Sequence, residues 1–154
     1  MKNNDYDVLE NDNPEKYTGY LIWQVSNIRQ RIINNTLKEL NLTYPQFVLI
    51  AGLQFLRRSN EIVNQVKLIY FTKMDKSVVS SILKTLEKRD IVIREVDQMD
   101  TRAKKLNLSK MGYSKLEKAV ILIKKKDEVF FNKNKLDIEY FNKVLIKIIR
   151  ENGY

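Results

Sequence analysis

The chain has 154 residues, 44% hydrophobic and 31% charged, with a formal net charge of +9. It contains neither cysteine nor histidine, which excludes disulfides, thiol redox chemistry, cysteine- or histidine-built metal centres and imidazole catalysis. Its four glycines are too scattered to cradle a phosphate, so no enzyme, cofactor or metal site is expected.

The leader, MKNNDYDVLENDNPEK, sets one lysine against five acids in its first fifteen residues, so the excess of cations lies in the rest of the chain. It lacks the apolar core of a signal peptide, and no later run reaches the ~18–20 apolar residues that span a bilayer. A soluble, cytoplasmic chain with no membrane partner is expected. A basic body behind an acidic leader points to a polyanion as partner.

Asn13 and Pro14 make a helix start. From about Glu15 to Leu40, Leu21, Val25, Ile28, Ile32 and Leu37 recur at helical spacing. Thr43 caps a second helix with Pro45 in its first turn, running to about Arg57. "EIV" reads either as a short strand or as the approach to Asn64, which caps a short third helix, QVKLIYF. After the turn TKM, Asp75 caps a fourth. At 100° per residue its two faces separate: Val79, Ile82, Leu83 and Leu86 on one side, Ser77, Ser80, Ser81, Lys84 and Lys88 on the other. Two short capped helices so closely joined form a helix-turn-helix.

The alternating IVIRE and KKLNLS, separated by a polar stretch, read as a β-hairpin with a long tip. Ser109 caps a further helix to about Lys126, KKKDEVFFNKNK is a charged joint, and a last helix runs from about Leu136 to Glu151. The expected fold is mainly α with a small β-hairpin: a winged helix-turn-helix with long terminal helices. Its segments are 1–40 (leader and first helix), 41–108 (winged lobe) and 109–154 (C-terminal helices). The terminal helices carry more apolar surface than so small a domain can cover.

Small hydroxyl residues near the start of a helix permit close approach to base edges and phosphates, and lysine neutralises phosphate. Ser77, Ser80, Ser81 and Lys84 are therefore the expected contacts to a major groove. Arg102 at the hairpin tip is the natural insert for a narrow minor groove. Asp100 is read as a brace for Arg102 or Arg94. Of Lys104 and Lys105, which alternate along the strand, one follows the DNA backbone; Lys104 is taken first.

The stretch VNQVKLIYFTKMDKSVVSSILKTLEKRDIVIREVDQMDTRAKKLNLSKMGYSKLEKA resembles the core of the MarR (multiple-antibiotic-resistance regulator) family of transcriptional regulators. Its landmarks are LTYPQFVLI, MDKSVVSSILKTLEKRD, the wing signature DTR, and LNLSKMG before the long helix. The resemblance covers nearly the whole chain. It implies a homodimer with interlocked terminal helices, reading a pseudo-palindromic operator in double-stranded DNA, most simply as a repressor. It also implies a cleft for a small-molecule effector, for which Tyr17, Tyr20, Trp23, Tyr44 and Phe47 could supply aromatic walls. Two positions depart from the pattern: Lys73 and Asp90 stand where glycine is usual, and a left-handed backbone is less comfortable for either. The alternative reading is a winged-helix adaptor that binds another protein.

Overall fold

A computed structural model describes residues 13–59, 62–96, 104–132 and 136–152. Its elements are α1 (Thr18–Leu37), α2 (Tyr44–Arg57), α3 (Gln65–Thr72), α4 (Lys76–Lys88), β1 (Val92–Val96), β2 (Lys104–Leu108), α5 (Lys110–Asn132) and α6 (Ile138–Glu151). The two strands pair antiparallel, with Val92 opposite Leu108 and Val96 opposite Lys104. A mainly helical chain with one hairpin, in this order, is a winged helix-turn-helix.

The local signals act where the sequence puts them, with three differences. Thr43 and Gln46 form a reciprocal capping box on α2, and Asn64 Oδ1 accepts from Lys67 N at 3.0 Å to start α3. Asn13 caps only a single 3₁₀ turn, Pro14–Lys16; Tyr17 is extended, and the α-helix begins at Thr18 rather than at Glu15. Asp75 occupies the N-cap position of α4, but its carboxylate takes no capping hydrogen bond. The joint expected at KKKDEVFFNKNK is helix instead as far as Asn132, its last three residues lying outside the described ones. α5 runs on to Asn132, because Asp127 is drawn into an ion pair with α1 while Lys124 and Lys125 face solvent. Ile62 and Val63, the described residues before Asn64, lie in no strand, yet Val63 O accepts from Leu106 N at 2.8 Å and lends the hairpin a backbone bond from outside it.

One core joins Ile33 and Leu37 of α1, Leu49, Ile50 and Leu53 of α2, Leu68 of α3, Val79, Leu83 and Leu86 of α4, Leu106 and Leu108 of β2, and Leu116, Ala119 and Ile123 of α5. Burial stops abruptly on the long helices. Nothing before Ile33 on α1 is buried, nothing after Ile123 on α5, and nothing on α6. The remaining lengths expose large apolar side chains, among them Ile22, Trp23 and Val25 on α1 and Ile146, Ile148 and Ile149 on α6. Apolar stripes this continuous are unusual on a free surface. Among the described residues, no helix is long and apolar enough to cross a membrane.

Candidate nucleic-acid interface

The helix-turn-helix closes through a left-handed residue. Lys73, with φ 57°, ends α3 and donates its N–H to Ile69 O at 3.0 Å. Asp90, with φ 50°, follows the C-cap Arg89 of the next helix; its N–H bonds Glu87 O at 3.0 Å and Ile91 N reaches Leu86 O at 2.9 Å. Both positions where glycine is usual are thus left-handed without it. Asp tolerates that region; for Lys73 it costs on the order of 1 kcal/mol.

Between these stops α4 is sharply two-faced. Val79, Leu83 and Leu86 are fully buried and Ile82 packs against them, which fixes the helix's rotation about its axis. Ser77, Ser81, Lys84 and Lys88 consequently face solvent, and Ser80 lies half-buried at the border. Val78 and Thr85 share the exposed face. They were not singled out from the sequence, although a wheel places them at 80–100° from Ser77, beside Ser81. Thr85 Oγ1 is turned back onto Ser81 O at 3.1 Å; the apolar Val78 is 42% exposed. The face therefore offers free hydroxyls, an ammonium and a methyl-bearing group, which is chemistry for phosphate oxygens and base edges.

The wing's base is fixed by side chains. Arg94 of β1 donates through Nε and Nη2 to Glu87 Oε1 of α4, at 2.9 and 2.6 Å, tying strand to helix. Glu87 is thus a partner of Arg94 in the described residues; the brace expected from Asp100, to Arg102 or Arg94, falls on residues outside them. Glu87 was not singled out from the sequence, since a glutamate late in a helix carries no signal that a strand will fold against it. Across the hairpin, Asn107 Nδ2 donates to Glu95 Oε2 at 2.6 Å. Gly112, in the first turn of α5, sits against β1's entry so closely that a Cβ there would lie 2.2 Å from Ile91 O. Ser109 caps that turn, accepting from Gly112 N at 2.9 Å, while its own N–H bonds Ile91 O at 3.1 Å. Asp100 and Arg102 lie outside the described residues. Lys104 is placed by its backbone register opposite Val96, and the half-buried Lys105 is opposite Glu95.

The five aromatic residues expected to wall a cleft fall into two groups. Tyr20 stacks on Trp23 with ring centroids 6.2 Å apart, and Tyr17 precedes them, all exposed at the start of α1. Tyr44 stacks on Phe47 at 6.4 Å at the start of α2. The groove that Trp23 lines is walled by α1 residues such as Asn27, Arg31 and Asn34, without Tyr44 or Phe47. Tyr44 is engaged elsewhere: its hydroxyl accepts from Arg29 Nη1, its ring lies 4.9 Å under that guanidinium, and its N–H bonds Asn34 Oδ1 at 2.6 Å. Arg29 also donates Nε and Nη2 to the two oxygens of Asp127 at 2.9 and 2.7 Å. Burial works against the charge on Arg29, and the bonds to Asp127 and Tyr44 outweigh it, so its pKa stands above the ordinary value.

No protein-family model matches the chain. Among known proteins it is 33% identical over 118 residues to YdcH, an uncharacterised HTH-type transcriptional regulator of Bacillus subtilis strain 168, covering 77% of this chain and 80% of that protein. Its fold is that of the Staphylococcus aureus MepR–DNA complex, with a TM-score of 0.77 over 90% of this chain and 99% of that one at 19% identity. It is also that of the Escherichia coli MarR C80S mutant complexed with operator DNA, with a TM-score of 0.73 over 84% and 91% at 22% identity.

Proposed function

Because the chain belongs to the MarR family of winged helix-turn-helix transcriptional regulators, we propose that it acts as a homodimeric repressor binding one inverted-repeat operator. The observation that carries this reading is the two-faced α4, whose buried Val79, Leu83 and Leu86 hold Ser77, Ser81 and Lys84 outward. That is the ridge a major groove accepts. Lysines supply salt-dependent affinity by releasing counterions from phosphates, and the hydroxyls and Val78 supply selectivity among base edges. Arg102, which falls between the two strands in the sequence, is read as serving the adjacent minor groove.

A second copy of the chain is the partner that suits the exposed stripes on α1 and α6. Covering them brings two α4 helices into a fixed relation, roughly 34 Å apart for half-sites on one face of the duplex. Repression then needs only occupancy of a promoter.

Selection of bound sequences from a random duplex pool tests the proposal. Enrichment of an inverted repeat with half-sites one turn apart is the expected result. No enrichment, with binding no tighter than to arbitrary DNA, would overturn it in favour of a protein-binding adaptor.

A further inference from the structure

Arg29 and Asp127 hold a particular place in the fold. Ile33 is the first buried residue of α1 and Ile123 the last of α5. Arg29 lies one helical turn outside the first and Asp127 one turn outside the second, so both fall on the faces already turned to the core. Their paired hydrogen bonds join the two helices where these leave the core. Tyr44, the first residue of α2, adds the winged lobe to the same guanidinium, and Asn34 of α1 holds its N–H. Three elements thus meet at one cation. Beyond this point neither α1 nor α5 has a fully buried residue, so the cluster is the last described polar tie between them before their exposed lengths.

We propose that the Arg29–Asp127–Tyr44 cluster is a latch fixing the angle between the winged lobe and the α1–α5 pair, and thereby sets which half-site spacing the dimer accepts. The three are positioning residues and need not touch DNA. The inference rests on the dimeric operator-binding reading. In such a dimer any rotation of the lobe about its junction moves α4 relative to its twin. One extra base pair between half-sites shifts their centres by about 3.4 Å and turns them by about 35°. A guanidinium forked on a carboxylate has a narrow preferred geometry, which suits it to resist such a displacement.

The test uses full-length protein and duplexes built on the selected operator, with the spacer shortened by one base pair, unchanged, or lengthened by one. Two variants are compared with the parent: Asp127→Asn, which removes the charge, and Tyr44→Phe, which removes one hydroxyl and keeps the ring on Phe47. The expected result is that each variant lowers the preference for the native spacer over its neighbours, Asp127→Asn by about tenfold and Tyr44→Phe by less. Affinity for a duplex with a single half-site should stay at the parent value. Tyr44→Phe keeps the question decidable if Asp127→Asn does not fold. A selective parent with unchanged preference in the folded variants would overturn the latch alone. A parent with no spacer preference would overturn the operator reading and the latch with it.

Discussion

Replacing Gly112 by alanine sets two physical effects against each other. Intrinsic helix propensity favours alanine by up to about 1 kcal/mol, so an isolated helix would gain from the change. Packing forbids it. The new Cβ would lie 2.2 Å from Ile91 O and 3.2 Å from Ile91 C, more than 1 Å inside ordinary contact with the oxygen, and a backbone carbonyl has no rotamer to escape into. Either α5 or the entry to β1 must retreat, stretching the Ser109 N to Ile91 O bond of 3.1 Å. Overpacking of this kind costs about 1–3 kcal/mol, and a weakened hydrogen bond adds about 1. The balance is a net loss of about 1–3 kcal/mol, or a fall in Tm of about 2–12 °C for a chain of this size. Thermal unfolding by circular dichroism, at matched protein concentration, measures it. A Tm equal to or above the parent's would show that propensity governs the site and that the tight seat of α5 on β1 does not constrain it.

Three further outcomes follow from other parts of the molecule. Lys84→Ala should reduce the slope of log affinity against log salt by about one unit, since the side chain is exposed on the α4 ridge and would release one counterion on meeting a phosphate; an unaltered slope removes it from the interface. Ile149→Glu, at a position 55% exposed on α6, should shift the protein to a monomer in analytical ultracentrifugation with its helix content kept. A dimer of parental affinity would mean that α6 is not what the second copy covers. Lys73→Gly should raise Tm by about 1–2 °C, because relief of the left-handed strain at φ 57° outweighs glycine's larger unfolded-state entropy and the loss of the ammonium 4.0 Å from the Tyr70 ring. A lower Tm would mean that this lysine contact is the larger effect.

What the sequence determined by itself was local and periodic. Thr43, Asn64 and Ser109 mark helix starts because a short side-chain oxygen next to free amides has one obvious use. The burial of Val79, Leu83 and Leu86 was legible because three residues at helical spacing can be covered only from one side, and the exposed serines and Lys84 followed as the complement. Asp127 was misplaced in a joint and Glu87 overlooked for the opposite reason. Each is a charged residue among many, and its role depends on a partner, Arg29 or Arg94, whose direction is set only when helices cross and a strand folds back. The same holds for Gly112, whose need for a missing side chain appears only once Ile91 O arrives beside it. Tertiary structure also decided the division of the aromatic residues, giving Tyr44 to Arg29 while Trp23 remained on the open face of α1. Periodicity reports which face of an element is apolar; the partner that a polar group finds depends on distances the chain acquires only by packing.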